Sequence, residues 1–235
     1  QSSTQHLKSL SPQGHHNRQR SSLSERQQAL YCPLAMQIAH TSRPASCSEH
    51  LYSHYLDMTE YRYKGKFQSH GFQCAMGTVI MSACFDEFLK MDLSKLDVDA
   101  CVAAWPTLEQ EQKRALDIFK DFPVPQLGYT EITKKYNDAE TVRKQLQTVK
   151  DNWFDLKERI QNQVYTYDKM VALMKSVGAP VGPESIGLTR AQVRKMTDFV
   201  QLMRWRINLF DLCKRARLYD ELMDRVFVKG VLKMD

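Results

Sequence analysis

The stretch from Gly71 to about Met91 predicts a helix that is apolar on every side, with Val79, Ile80 and Phe88 on different faces. A surface helix keeps one polar face, so a helix without one has to be covered by other elements. No segment shows the alternation of apolar and polar residues that predicts a strand. The sequence therefore predicts an all-α domain, a helical bundle packed around this central helix.

Helix-start signals and apolar stripes define the other predicted helices. A capping box, in which two side chains satisfy backbone donors at a helix start, is predicted at Ser46–Glu49, Thr107–Gln110 and Thr189–Gln192. The most regular stripe predicts one long helix packed within the domain, through Val142, Leu146, Val149, Trp153, Leu156 and Ile160. Two further stripes predict core positions, at Met170, Leu173, Met174 and Val177 and at Val193, Met196, Val200, Met203 and Ile207.

Three of the seven histidines fall within a short stretch ahead of and at the start of the central helix. His50 and His54 are four residues apart, which places them on one face of a helix, and His70 follows sixteen residues later. A catalytic zinc usually takes three protein ligands and an open position. The spacing predicts His50 and His70 as metal ligands, with His54 as a third ligand or a substrate contact. The alternative is three ordinary histidines that only make hydrogen bonds.

Several separate runs carry a family resemblance: SRPASCSEHLYSHYLDM, SHGFQCAMGT, DVDACVAAWP, GAPVGPESIGLTR and MRWRINLFDL. They resemble, in the same order, the C-terminal helical half of the glycerol-1-phosphate dehydrogenases. That family is similar to the iron-containing alcohol dehydrogenases, glycerol dehydrogenases and dehydroquinate synthases. The resemblance covers roughly Leu30 to Phe227.

The resemblance implies a function and a role for each histidine. It implies the C-terminal half of an NAD(P)-dependent, zinc-dependent oxidoreductase that interconverts dihydroxyacetone phosphate and glycerol phosphate. His50 and His70 would hold the zinc ion. His54 would be the catalytic and substrate-binding residue, with general acid catalysis as one role open to an imidazole.

The sequence departs from the family pattern at several positions. Cys47 stands where the family usually has Gly, three residues before the first histidine, and Phe72 follows His70-Gly71 where many relatives have Glu. The family completes its metal site with an upstream Asp, but no Asp precedes His40. The nine glycines never form GxG, the pattern of a dinucleotide-binding loop. We therefore expect the α/β cofactor domain to be absent, zinc to bind this chain only weakly, and NAD(P) not to bind it.

These departures leave two other functions open. The chain is either part of a dehydrogenase or a catalytically inactive remnant or fragment that acts as a helical interaction module. A third hypothesis is a purely structural bundle in which the histidines are incidental. Partners in the complete enzyme would be a small polyol phosphate substrate and a cofactor-domain polypeptide or a second copy of the chain.

Composition divides the chain and excludes some classes of function. Residues 1–23 are polar and predict a disordered tail, whereas residues 24–235 predict the helical metal-binding domain. No apolar run reaches the roughly 18 residues that span a membrane. The six cysteines form no C-x-x-C pair, and Cys74, Cys84 and Cys101 lie in apolar pattern as small hydrophobic residues. We expect a cytoplasmic protein in a reducing compartment.

The net charge of +6 raises the question of nucleic acid. The first 29 residues carry four basic residues and one Glu, so half of that charge lies there and the remainder is nearly balanced. We therefore expect no nucleic-acid partner. One basic cluster predicts a solvated helix face, with contact to a substrate phosphate as the alternative: Arg204, Arg206, Lys214, Arg215 and Arg217.

Overall fold

The structure, a computed structural model, describes residues 47–234. Within that range the chain forms eleven α-helices, two 3-10 turns and one short hairpin, so the predicted all-α class is confirmed. The predicted polar tail, its boundary at residue 24 and the histidines within it lie outside the described residues. The elements are α1 Ser48–Met58, β1 Arg62–Tyr63, β2 Lys66–Phe67, α2 His70–Phe88, α3 Val98–Ala103, α4 Leu108–Phe119, α5 Leu127–Lys135, α6 Ala139–Asp151, α7 Trp153–Gln161, α8 Tyr167–Ser176, α9 Arg190–Leu202, α10 Leu209–Arg215 and α11 Tyr219–Phe227.

Helix α2 lies at the centre of the domain, as its all-round apolar pattern predicts. It packs most extensively against α1 and also contacts α8 and α11. Met76, Val79 and Ile80 are fully buried in the core. The helix begins where the Ser69 hydroxyl accepts a hydrogen bond from the Phe72 backbone N–H, which is an N-cap. None of the helices between residues 47 and 234 is long and apolar enough to cross a membrane.

Gly77 lets α1 and α2 approach each other unusually closely. A Cβ at this position would lie 2.3 Å from the backbone oxygen of Glu49 in α1, a distance that no side chain tolerates. Only glycine allows this crossing without moving a backbone. Because Glu49 precedes His50, the close contact places the start of α1 directly against the first turns of α2.

Two of the three predicted capping boxes form. Thr107 and Thr189 each accept from the backbone N–H three residues later, and Gln110 and Gln192 bond back. The box predicted at Ser46 is wrong, because α1 begins at Ser48 with Cys47 in the N-cap position and no side-chain capping bond. Glu49 is therefore in the first turn of the helix rather than at the third position of a box.

The stripe from Val142 to Ile160 does not form one long helix. It is divided into α6 and α7 at Asn152, whose backbone leaves the helical region and whose side-chain amide donates to the Thr148 carbonyl. Asn competes with the helix by bonding to backbone groups in this way. Val142, Leu146 and Trp153 are buried as predicted, whereas Leu156 and Ile160 are only partly covered.

Two other core predictions are wrong in part. Met170, Leu173 and Met174 on α8 are only half-buried, and Val177 beyond its end is 48% exposed. Helix α8 therefore covers the outside of the domain. The apolar stripe that begins at Val193 predicts a helix as far as Ile207. Helix α9 instead ends at Leu202, and Ile207 is 51% exposed in the following loop.

The region after α1, where the sequence predicts no strand, forms a two-stranded antiparallel hairpin. Arg62 pairs with Phe67, and Tyr63 pairs with Lys66. Lys64 and Gly65 at its tip both have positive φ, the backbone of the tightest hairpin turns. The hairpin connects α1 directly back to the start of α2.

Candidate metal centre

Three side chains from α1 and α2 converge beside the Gly77 crossing. His50 lies in the first turn of α1, His70 is the first residue of α2, and Cys74 follows His70 by one helical turn. One ligand atom from each lies within 4.8 Å of the others. The Cys74 Sγ atom is 3.5 Å from His70 Nε2 and 3.8 Å from His50 Nδ1. These are the three atoms that face one another.

A chain of hydrogen bonds fixes the orientation of His70. The Asp57 carboxylate can only accept, so the Gln73 amide nitrogen donates to it at 3.0 Å and the Gln73 oxygen points the other way. That oxygen accepts the Ser53 hydroxyl proton at 2.6 Å. Ser53 Oγ lies 2.8 Å from His70 Nδ1, and because its own proton is committed to Gln73, it accepts from the imidazole N–H. The proton of neutral His70 is thus on Nδ1, which leaves the Nε2 lone pair facing Cys74.

His54 lies next to this group but is not one of the three residues whose atoms could hold a metal ion. Its ring centroid is 4.7 Å from that of His50. His54 Nε2 lies 2.9 Å from an Arg204 guanidinium nitrogen, and because arginine only donates, His54 accepts this bond. The bond holds His54 as the neutral tautomer with its proton on Nδ1.

Burial shifts the pKa values of His50, His54 and Cys74. It lowers the pKa of His50, with smaller contributions in the same direction from the neighbouring histidines and Arg204. It also lowers the pKa of His54, where Arg204 adds to the effect. Burial raises the pKa of the Cys74 thiol, and the nearby Glu49 and Asp57 charges raise it further. Burial therefore favours the neutral imidazoles of His50 and His54, and the thiol would release its proton when a cation binds.

A cavity of about 400 Å³ opens beside His54. Its walls come from α1, α5 and the loop after α9, and its charged residues are Arg204, Lys134 and Glu131. Glu131 is already occupied, since it pairs with Lys134 at 2.7 Å and accepts from the Trp205 backbone N–H. The cavity thus places Arg204 and the Lys134–Glu131 ion pair near the imidazole of His54.

Comparison with known proteins finds several partial matches to one family of enzymes. A glycerol-1-phosphate dehydrogenase [NAD(P)+] of Methanococcus vannielii is 43% identical over 65 residues, which are 27% of this chain and 20% of the relative. The protein of the same name from Methanococcus maripaludis is 33% identical over 114 residues, 47% of this chain and 30% of the relative. That from Caldivirga maquilingensis is 50% identical over 52 residues, 22% of this chain and 15% of the relative.

The chain is a partial match to the glycerol-1-phosphate dehydrogenases. The resemblance that the sequence motifs carry is thereby confirmed. The chain spans less than a third of the length of each of these relatives. No family model and no solved structure matches it.

Besides the two histidines of the glycerol-1-phosphate dehydrogenase pattern, the structure brings in Cys74 as a third possible metal ligand. The sequence pattern alone does not predict this role for Cys74. The apolar pattern predicts Cys74 as a small core residue, like Cys84 and Cys101, which are indeed buried. Cys74 is instead half-exposed beside the two histidines. The sequence does contain an indication of this role, because His70 and Cys74 have the same four-residue spacing as His50 and His54. The apolar neighbours of Cys74, however, favour a core position.

The structure also differs from the prediction that the basic cluster forms one solvated helix face. Arg204 and Arg206 lie in the loop after α9, where Arg204 joins the cavity beside His54. Arg215, at the end of α10, is only 6% exposed. The five basic residues therefore do not share one face, and Arg215 is part of the domain interior.

Proposed function

We propose that residues 47–234 form the zinc- and substrate-binding part of an oxidoreductase similar to the glycerol-1-phosphate dehydrogenases, acting on dihydroxyacetone phosphate and glycerol phosphate. The observation that supports this proposal best is the convergence of His50, His70 and Cys74. The partial match to enzymes named glycerol-1-phosphate dehydrogenase [NAD(P)+] supplies the substrate class and the cofactor.

The donor set fits zinc. Two imidazoles and one thiolate are the ligand types that zinc takes in catalytic sites, with a fourth position left for water or substrate. The Ser53–Gln73–Asp57 chain behind His70 is the kind of outer contact that orients a metal-bound histidine. Two histidines alone predict weak zinc binding, and Cys74 adds the third donor.

Zinc, when bound here, would act as a Lewis acid on the substrate carbonyl. The residues of the chain supply the remaining functions. His54 lies one turn from His50 and would hydrogen-bond a substrate hydroxyl or carbonyl oxygen from its Nδ1–H. Arg204 and Lys134 line the cavity beside His54 and would attract the substrate phosphate.

The described residues do not fit a nicotinamide dinucleotide. Such a cofactor is bound at the carboxyl ends of parallel strands, on a glycine-rich turn that leads into a helix. The only strands among residues 47–234 are the antiparallel hairpin β1–β2. No hydride-transfer step is therefore assigned to residues of this part of the chain.

Cobalt replaces zinc with the same ligands and reports the ligand type by absorption, so it tests the centre without any turnover. Cobalt titrated into the 235-residue chain should give a thiolate charge-transfer band with a one-to-one end point. His50→Ala, His70→Ala and Cys74→Ser should each lower zinc affinity, measured by chelator competition, by at least about a hundredfold, more than loss of an outer contact costs. Cys47→Ser is the matched control, because this exposed cysteine lies just ahead of α1.

A second measurement tests the substrate class. Glycerol 1-phosphate should bind the zinc-loaded chain in a calorimeter, whereas glycerol without the phosphate should not. His54→Ala should weaken that binding and leave zinc affinity within about tenfold of wild type, since His54 is not a donor. Absence of stoichiometric zinc, or a band that persists in Cys74→Ser, would contradict the proposed centre and favour the helical interaction module instead.

A further inference from the structure

The hairpin β1–β2 carries three positive charges close together. Arg62, Lys64 and Lys66 are all exposed. Within residues 47–234 none of the three forms an ion pair. The segment 60–67 contains these three basic residues and one acidic residue, Glu60, so its net charge is +2. The hairpin is therefore a local excess of positive charge at the surface.

Two tyrosines attach the hairpin to the rest of the domain. The Tyr61 hydroxyl donates to the Ile186 backbone oxygen at 3.0 Å. Tyr63 lies against Gly187, where a Cβ would come within 2.1 Å of the tyrosine ring, so a larger residue would break this contact. The face of the hairpin that carries Tyr63 is thereby held against the domain.

The other face of the hairpin consists of Arg62 and Phe67. These two residues are directly opposite each other in the strand register, so their side chains share the face opposite to that of Tyr63. The Arg62 guanidinium carbon lies 3.8 Å from the centre of the Phe67 ring, a cation–π contact. Phe67 is nevertheless 54% exposed. The hairpin thus presents a large apolar ring to solvent, surrounded by positive charges.

We propose that the hairpin β1–β2 docks on the surface of an anionic phospholipid bilayer. Phe67 enters the headgroup layer, and Arg62, Lys64 and Lys66 lie against the negative headgroups. Each lysine or arginine near such a surface strengthens the attraction to anionic lipids. Aromatic side chains combined with basic ones are typical of elements that lie at the membrane interface. This docking surface is independent of the proposed zinc ligands.

The shape of the hairpin favours a bilayer over other polyanions. A single-stranded nucleic acid binds along a positively charged groove in which successive bases stack on several rings. The hairpin instead offers one ring on an exposed turn, and Arg62 already covers one face of that ring. An acidic peptide would pair with the cations but would provide no apolar layer for Phe67. A bilayer surface provides both the negative charge and that layer.

Vesicle co-sedimentation of the 235-residue chain tests the proposal. Vesicles of phosphatidylcholine mixed with phosphatidylserine should bind the chain, whereas vesicles of phosphatidylcholine alone should not sediment it. Binding should weaken at least about tenfold between about 0.1 M and about 0.5 M salt, because salt screens exposed charges.

The lysines of the hairpin are tested by a double variant. Lys64→Gln with Lys66→Gln should weaken binding to the mixed vesicles about twentyfold, since each cation near an anionic membrane contributes about fivefold. Lys113→Gln with Lys175→Gln is the matched control, because these lysines are exposed on α4 and α8 and the same charge is lost. The control should stay within about twofold of wild type, and both double variants should keep the wild-type melting temperature.

The ring is tested by Phe67→Ser, which keeps every charge. This variant should bind the mixed vesicles at least about fivefold more weakly, because the ring no longer enters the headgroup layer. Its binding to soluble polyglutamate should equal that of wild type, since polyglutamate has no apolar layer. Phe154→Ser is the matched control, since Phe154 is a 70% exposed phenylalanine on α7 and its loss should leave vesicle binding unchanged.

Three results would overturn the proposal. The first is equal sedimentation with vesicles of phosphatidylcholine alone. The second is wild-type vesicle binding in either hairpin variant, which would place the contact elsewhere, for example at the basic residues among the first 29 positions. The third is displacement of the chain from the vesicles by oligothymidylate or polyglutamate at the same concentration of negative charge, which would favour a nucleic acid or an acidic protein as the partner.

Discussion

The Ser53 hydroxyl oxygen lies 2.8 Å from His70 Nδ1 and joins α1 to the first residue of α2. This bond is the last of a chain that runs from Asp57 through Gln73 and Ser53 to His70. Because the Asp57 carboxylate can only accept, the direction of every hydrogen bond in the chain is determined. The result is a histidine whose Nε2 lone pair is already directed at Cys74. His70 is therefore oriented by three side chains, Ser53, Gln73 and Asp57, that are not among the possible metal ligands themselves.

Removal of this support should weaken metal binding while all three donors remain. Ser53→Ala breaks the bond to His70 Nδ1 and should lower zinc affinity by about 10- to 100-fold. Chelator competition measures the affinity. Ser82→Ala is the matched control, since Ser82 is a buried serine on α2 that bonds only the Thr78 carbonyl. Equal zinc affinity in Ser53→Ala and Ser82→Ala would show that the hydrogen-bond chain does not orient the site.

The helix crossing at Gly77 should tolerate no side chain. In Gly77→Ala the new methyl group would meet the Glu49 backbone oxygen, and we expect a loss of about 1–3 kcal/mol in the free energy of unfolding, as for overpacked cores. Zinc affinity should fall as well, because α1 carries His50. Urea unfolding monitored by circular dichroism measures the stability.

Gly71→Ala is the control on the same helix. A Cβ at Gly71 meets nothing within 4 Å, so this substitution should be neutral or should stabilise by up to about 1 kcal/mol through helix propensity. If the two variants have equal stability, the close crossing is not maintained in solution.

The parts of the fold that depend on local chemistry were predictable from the sequence. The Thr107 and Thr189 capping boxes and the buried α2 follow from spacing and apolar pattern alone. The proximity of His50 to His54 follows from helical geometry. The approach of His70 from another helix was inferred from sequence order and the family resemblance.

What the sequence did not predict depends on tertiary packing or on a single competing side chain. The apolar spacing continues across Asn152, so periodicity alone cannot reveal that its amide bonds the Thr148 carbonyl and divides the helix. Cys74 has apolar neighbours in sequence, yet its own face of α2 points toward His50. The burial of Arg215 depends on acceptors from residues 137 and 145, which are distant in sequence.

The buried pair of Lys135 and Asp211 should be costly to break. Both side chains are at most 5% exposed and lie 2.8 Å apart. Asp211→Asn keeps the shape but leaves the lysine charge unpaired, and we expect a loss of about 3–5 kcal/mol in the free energy of unfolding. Adding Lys135→Met to this variant should recover part of that loss, because the unpaired charge is then removed.

The exposed pair of Lys144 and Glu140 on α6 is the control for this experiment. Both side chains are about three-quarters exposed, and Glu140→Ala should change the free energy of unfolding by less than about 1 kcal/mol. If Asp211→Asn lowers the free energy of unfolding as little as Glu140→Ala does, the interior around Lys135 admits enough water to solvate its charge.

Tyr219 should make stability fall at alkaline pH. Burial raises its pKa well above the ordinary value of 10, and the Asp198 carboxylate, which accepts its hydroxyl proton at 2.6 Å, raises the pKa further. Since the folded state holds the proton more tightly than the unfolded state, this contribution is fully present below about pH 10 and is lost as the pH rises further.

Tyr219→Phe tests this contribution, since it removes the hydroxyl and keeps the ring. It should cost about 1.5–3 kcal/mol near pH 8, the usual range for a hydrogen bond to a charged group. The difference from wild type should shrink near pH 11, because only the wild type has a tyrosine at this position to ionise. Urea unfolding at both pH values measures the two differences. A difference that stays constant would mean that the hydroxyl ionises equally in the folded and unfolded states, against the burial that the structure gives it.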